Sequence, residues 1–163
     1  KNFWDITEDS LDKSMKVFNI NKNMKNELLS LYKILSPYPE VKGVLEDLKK
    51  KNFKLAILSN GTPDLLNELV ESNKLNNLFD DLFSIEEVKI YKPDPRVYEI
   101  PIKKYKIKSD EITFLSANTW DVSGGGNFGY NSIWVNRHNS VFDILDFQPK
   151  NEISNLTQLL DIV

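Results

Sequence analysis

Apolar positions along the first forty residues recur at helical intervals. After that they fall into short runs that alternate with further helical stretches. Leu11, Met15 and Phe18 stand at i, i+4 and i+7. Thr7, followed by Glu8 and Asp9, is placed to cap that helix and suits its dipole. Met24, Leu28, Leu31 and Tyr32 mark a second helix, which stops before Pro37 and Pro39. The pair predicts a helical hairpin over residues 1–36, with Ser36-Pro37-Tyr38-Pro39-Glu40 as the hinge to a second domain over 37–163. The alternative is one continuous domain.

From Val41 onward the period switches back and forth. Val41, Val44, Leu45 and Leu48 line a helix that ends at Lys49-Lys50-Lys51. Phe53, Leu55, Ala56, Ile57 and Leu58 form a nearly continuous apolar run, the pattern of a parallel strand buried on both faces. Thr62 and Pro63 supply a cap and a first-turn proline for the next helix, whose buried face is Leu65, Leu66, Leu69 and Val70. Strands follow at Leu82–Ile85, Ile112–Leu115 and Ser132–Val135. Between the first two lies a helix that opens at Lys92-Pro93-Asp94-Pro95 and carries Val97, Tyr98 and Tyr105. Leu156, Leu159 and Leu160 predict a closing helix. Strands alternating with helices predict an α/β fold built on a doubly wound parallel sheet. Two features cut across the pattern. Pro101 sits two turns into its helix and is expected to kink it. Gly124, Gly125 and Gly126 fall where a helix should be forming, and imply close approach of its backbone to a strand or a ligand.

Composition narrows the chemistry. The 163 residues contain no cysteine and a single histidine, His138, so disulfides, thiolate metal sites, a cysteine nucleophile and a multi-histidine metal site are all excluded. The net charge is −3, with lysines interleaved among acids, which argues against a nucleic-acid surface. No apolar run approaches the ~20 residues of a membrane span. The N-terminal Lys1-Asn2-Phe3-Trp4-Asp5 shows no signal-peptide pattern, and a soluble cytoplasmic protein is expected.

Three clusters of polar residues stand at expected strand ends, where open α/β sheets bind ligands. Ser59-Asn60-Gly61 places a hydroxyl and an amide just before a helix N-terminus that offers N–H groups to an anion. Lys92 precedes a proline-started helix and could project over the strand ends. Ser116, Asn118 and Asp121 fall within six residues after the strand at 112–115. The bland readings are a turn before a cap, a solvated lysine that is cheap to remove, and a Ser/Asn/Asp helix cap.

Taken together, Ser59-Asn60-Gly61, Lys92-Pro93-Asp94-Pro95-Arg96-Val97-Tyr98 and Ser116-Ala117-Asn118-Thr119-Trp120-Asp121 resemble the haloacid dehalogenase superfamily. The branch they are most similar to is that of the L-2-haloacid dehalogenases, and Phe3-Trp4-Asp5-Ile6-Thr7 resembles part of their cap. The resemblance implies a Rossmann-like core with a small helical cap. It also implies hydrolytic dehalogenation of L-2-haloacids to D-2-hydroxy acids through an aspartyl ester. On it Ser59 and Asn60 bind the substrate carboxylate with help from helix N–H groups, and Lys92 keeps the nucleophile ionised. Asp121 positions or activates the hydrolytic water with Ser116 and Asn118, Tyr98 joins that network, and Trp120 walls the apolar side with Phe3 or Trp4. Phosphatases of the superfamily carry two acids in the last motif, both helping to hold Mg²⁺. Here the first is Ser116, so no metal and no cofactor is expected. The implied partners are a 2-haloalkanoic acid, the released halide and a second copy in a homodimer, with neither nucleic acid nor membrane.

The chain also departs from the family pattern. The nucleophile motif, of the form Asp-x-x-Gly-Thr, does not occur in it, and Asp5 in Trp4-Asp5-Ile6-Thr7 has no strand to carry it. Neither Arg96 nor Arg137 matches the early cap arginine that holds halide in the family. A large residue such as lysine is more usual where this chain has its glycine run. These departures lead us to expect that the residues are the C-terminal part of a longer chain and that by themselves they release no halide. The alternatives are a phosphatase of the same superfamily, and a non-catalytic fragment or binding module.

Overall fold

The computed structural model describes residues 1–163. In chain order its elements are α1 (Phe3–Val17), α2 (Lys25–Leu31), α3 (Val41–Lys50), β1 (Ala56–Ser59), α4 (Pro63–Ser72), β2 (Asp81–Ser84), α5 (Pro95–Tyr105), β3 (Thr113–Ser116), α6 (Thr119–Phe128), β4 (Asn131–Val135) and β5 (Asn151–Ile153). Short 3₁₀ turns lie at Lys22–Met24, Ile85–Glu87, Ser109–Glu111 and Leu156–Asp161. The class is α/β, and every strand pairing is parallel. Two compact units are distinguished: Lys1–Tyr38 with Leu55–Glu87, and Pro39–Lys54 with Val88–Val163.

In the first unit, Asn2 rather than Thr7 caps α1. Its side chain accepts the Asp5 N–H at 2.8 Å while the Asp5 carboxylate accepts the Asn2 N–H at 3.1 Å, so two orphan donors are satisfied reciprocally. Thr7 lies inside the helix and donates its hydroxyl to the Phe3 carbonyl. Met15 is buried, but Phe18 lies past the helix end and is 73% exposed. In α2 the buried residue is Leu29, with Met24, Leu31 and Tyr32 left largely exposed. Met24 belongs to the preceding 3₁₀ turn, whose three residues per turn put it out of phase with the helix. β1 and β2 pair with Ser59 opposite Ser84. Phe53 lies outside the strand, and Ala56 is exposed with Ile57 and Leu58 half-buried, so the expected burial on both faces is not met. β1 has only β2 as a strand neighbour in its sheet. α4 starts as predicted, with Thr62 as its cap and Pro63 in its first turn.

The second unit is organised on the sheet β3-β4-β5. β4 is central, and its Ser132–Val135 are buried, as the middle strand of a parallel sheet should be. β5 has only one buried residue, Ile153, and carried no periodic signal. The closing segment is a 3₁₀ turn capped by Asn155, not an α-helix, and of its three leucines only Leu159 is fully buried. α3 buries Val44, Leu45 and Leu48. α5 runs on through Pro101 to Tyr105 as one helix. Proline removes one ladder hydrogen bond, but its ring is buried there, and that apolar burial offsets part of the loss.

Candidate active site

The motif around Lys92 separates into two jobs. Asp94 caps α5: its carboxylate accepts the Arg96 N–H at 3.0 Å and is gripped by the Arg96 guanidinium through Nε and Nη2, each at 2.9 Å. That guanidinium, with the backbone bond second, holds the Asp94 carboxyl down at about 2. Asp94 and Arg96 therefore build the start of the helix. The two residues flanking them, Lys92 and Tyr98, turn toward α6.

There they meet Asp121. The Lys92 ammonium lies 2.7 Å from Asp121 Oδ2, and the Tyr98 hydroxyl donates to Oδ1 at 2.8 Å. The Lys92 and Asp121 side chains are 8% and 5% exposed, so Lys92 is not the solvated surface lysine of the bland reading. Lys92 also stands 5.4 Å from the centroid of the Phe114 ring, a cation–π contact from β3. Burial pushes the Tyr98 hydroxyl well above its ordinary value, and the neighbouring Asp121 charge adds to that, so Tyr98 remains a proton donor. The Tyr130 hydroxyl in turn bonds the Tyr98 carbonyl oxygen, and Tyr98, Phe114, Phe128 and Tyr130 pack ring against ring around it.

The glycine run has a packing reason. Gly124 follows Asp121 by one turn, and a Cβ there would lie 2.6 Å from the Tyr98 oxygen and 2.7 Å from Pro93 Cβ. A Cβ on Gly125 would lie 2.7 Å from the Phe114 ring, and one on Gly126 would collide with the Phe147 ring. The close approach that these glycines implied is thus to side chains: they let α6 settle onto Tyr98, Phe114 and Phe147.

Ser116, Asn118 and Trp120 share the β3–α6 turn with Asp121. The Ser116 hydroxyl accepts the Asn118 N–H at 3.2 Å, and the Trp134 indole N–H donates to the Ala117 carbonyl at 3.1 Å. Asn118 occupies the cap position of α6 without a side-chain cap bond, so the helix-cap reading of the motif does not hold. Trp120 is 40% exposed. Ser59 and Asn60 belong to the first unit, at the end of β1. There the Ser59 hydroxyl accepts the Gly61 N–H at 3.0 Å. Of the first-turn N–H groups of α4, Pro63 has none and that of Leu65 is taken by the Thr62 hydroxyl, so fewer donors face an anion than the helix start implied. In the same unit Trp4 stacks edge-on with Tyr32 under Lys33.

Sequence reasoning missed Ser84, which donates to the Gly61 carbonyl, Trp134, which donates to the Ala117 carbonyl, and Tyr130, which donates to the Tyr98 carbonyl in α5. Each reads as an ordinary strand or strand-flanking residue, and only pairing across strands shows its role. Chemically, a carboxylate tied by one oxygen to an ammonium and by the other to a phenol is fixed in orientation. It can accept a proton from water, and it holds a cation at the strand end. A buried ion pair adds little net stability over apolar residues of the same volume, so stability alone is a poor reason for it.

Comparison with known proteins places the chain in a family. Residues 2–135 match the model of the family described as haloacid dehalogenase-like hydrolase. The chain is 35% identical over 160 residues to (S)-2-haloacid dehalogenase 4A of Burkholderia cepacia, covering 96% of this chain and 69% of that protein. It is 36% identical over 159 residues to (S)-2-haloacid dehalogenase 1 of Pseudomonas sp. (strain CBS-3), covering 96% and 70%. A crystal structure of an L-2-haloacid dehalogenase superposes with a TM-score of 0.96 at 32% identity, covering all of this chain and 73% of the other. On that family match and these relatives, the chain belongs to the haloacid dehalogenase-like hydrolases, on their (S)-2-haloacid dehalogenase branch.

Proposed function

We propose that the protein hydrolyses L-2-haloacids to D-2-hydroxy acids without a metal. A carboxylate nucleophile attacks C2, the carbon–halogen bond breaks with its electron pair leaving on halide, and configuration inverts. Water then adds to the carbonyl carbon of the aspartyl ester. The ester C–O bond breaks, and the hydroxy acid leaves as the carboxylate is regenerated. Asp121, oriented by Lys92 and Tyr98 with Ser116 and Asn118 beside it, takes one proton of that water and returns it to the departing alkoxide oxygen, while the water's second proton passes to solvent as the carboxylate is regenerated. Lys92 supplies the positive charge that keeps the nucleophile ionised. Ser59 and Asn60 hold the substrate carboxylate, and Trp120 with Phe3 or Trp4 forms the apolar wall. The nucleophile is assigned to no residue among these 163, whose roles are the accessory ones.

The observation that carries the reading is the buried Lys92–Asp121–Tyr98 cluster, in a motif whose other acid position is Ser116. Both carboxylate oxygens of Asp121 are already engaged, and a neutral hydroxyl replaces the second hard ligand, a poor donor set for Mg²⁺. The test is halide release by the full-length protein from L-2-chloropropionate with EDTA present, and the configuration of the lactate formed. Unchanged rates with EDTA and D-lactate as product support the proposal. Activity lost on chelation and restored by Mg²⁺ would favour a phosphatase-like site, and no turnover at all a binding module.

The remaining parts of the proposal are residues 1–36 as part of a helical cap on a core over 37–163, a homodimer, and a cytoplasmic location. No helix is long and apolar enough to cross a membrane. Light scattering on the purified protein and cell fractionation test the last two.

A further inference from the structure

Ser84 ends β2 opposite Ser59 in the parallel register and is 7% exposed. Its hydroxyl donates to the Gly61 carbonyl at 2.6 Å and accepts the Glu86 N–H at 3.2 Å. The donor of this buried serine is thus spent on one peptide group of the Ser59-Asn60-Gly61 turn. We infer that Ser84 is a positioning residue for the substrate carboxylate, acting through that turn. The inference rests on the proposed role of Ser59 and Asn60 as the carboxylate-binding pair.

The physical reason lies in the two peptide planes that meet at Gly61. Glycine is the residue with most backbone freedom to lose, so a turn centred on it is defined only if something outside ties it. One plane is tied by the Gly61 N–H donating to the Ser59 hydroxyl. That bond occupies a lone pair of the hydroxyl and leaves its own proton to donate to an anion. The other plane is tied by Ser84. Because the peptide unit is planar and trans, holding the Gly61 carbonyl toward β2 sends the Thr62 N–H to the opposite side. Ser84 therefore fixes both the aim of the Thr62 N–H and the closure of the turn that orients Ser59. No other side chain is seen to hold the Gly61 carbonyl. Without Ser84 that buried carbonyl lacks its donor, and the plane is free to rotate toward another.

The test measures KM and kcat for L-2-chloropropionate, the inhibition constant of propionate and the melting temperature. It compares the full-length wild type with Ser59→Ala, Ser84→Ala, the double variant and Ser132→Ala. Ser132 is an equally buried serine whose hydroxyl has no hydrogen-bond partner, and it serves as the control. Ser84→Ala should raise KM and the propionate constant about tenfold with kcat changed far less, the pattern of lost binding common to ground and transition states. It should add little to Ser59→Ala, because the two act as one unit. A lower melting temperature with KM and the propionate constant unchanged, as for a merely structural serine, would overturn the inference. If Ser84→Ala does not fold, Ser84→Cys keeps a side chain of the same connectivity, slightly larger and with a weaker donor. A rise of about threefold in both constants is then expected, and no rise overturns the inference. Normal halide release with no change in KM for Ser59→Ala would instead overturn the carboxylate reading, and the role of Ser84 with it.

Discussion

Lys92, just before α5, and Asp121, in the first turn of α6, form a buried ion pair, Nζ to Oδ2 at 2.7 Å, although they stand 29 positions apart in the chain. From sequence alone, Lys92 reads as cheap to remove. The pair reverses that. Lys92→Ala leaves Asp121 without its counter-ion in a dry site, which costs about 3–5 kcal/mol. Calorimetry should show a large fall in melting temperature, together with a loss of turnover by orders of magnitude. Lys92→Arg should rescue poorly, since a planar fork does not replace a compact charge in a closed site. Near wild-type stability in Lys92→Ala would contradict the burial on which the site is built.

Tyr98→Phe deletes the hydroxyl that donates to Asp121 and nothing else. A hydrogen bond to a charged group is worth about 1.5–3 kcal/mol, and a carboxylate free to rotate should lower turnover about tenfold or more. The Tyr98 value is raised in the folded state by burial and by Asp121, so its contribution is full below the unfolded value of 10.0. The contribution is lost as pH rises beyond that value. The stability gap between wild type and Tyr98→Phe should therefore hold steady from pH 6 to about 9 and shrink above about 10, as denaturant titrations at each pH would report.

Gly126→Ala should destabilise although alanine is the better helix former by about 1 kcal/mol. The new methyl collides with the Phe147 ring, and overpacking of this kind costs about 1–3 kcal/mol. Phe147→Leu in the same chain should return most of the loss. Urea midpoints of the two single variants and the double variant decide it: additive effects would mean that the ring is not the obstacle.

Glu40 is held below its ordinary value by its own backbone N–H and by the Arg137 guanidinium at 2.6 Å, with the Leu156 N–H assisting and burial opposing. A depressed carboxylate stabilises above its unfolded value, near 4.5, and that contribution is lost as pH falls through the folded value. Glu40→Gln should lower the melting temperature at pH 7. The difference from wild type should close progressively below about pH 4. A constant difference down to pH 3 would show that Glu40 does not titrate with folding.

What the sequence determined by itself is what depends on neighbours in the chain. The helical stripes at Val44, Leu45 and Leu48 and at Leu65, Leu66 and Val70, the Thr62-Pro63 helix start and the buried run of β4 are local periodicity and local capping, and they stand where periodicity puts them. Asn2 won over Thr7 as a cap because a reciprocal partner, Asp5, lay three residues on, a signal that the sequence did contain. The three strand-end clusters were legible as residue types at spacings. Tertiary structure alone decided which of them meet. Lys92 became a buried cation only because α6 delivers Asp121 to it. The glycine run acquired its reason from Tyr98, Phe114 and Phe147, none of them nearer than ten residues in the chain. β5 pairs beside β4 with a single buried residue, too short for any period to register. Ser84 carried no signal, because its value lies in a hydrogen bond to a neighbouring strand's turn, and that bond exists only once β1 and β2 are in register.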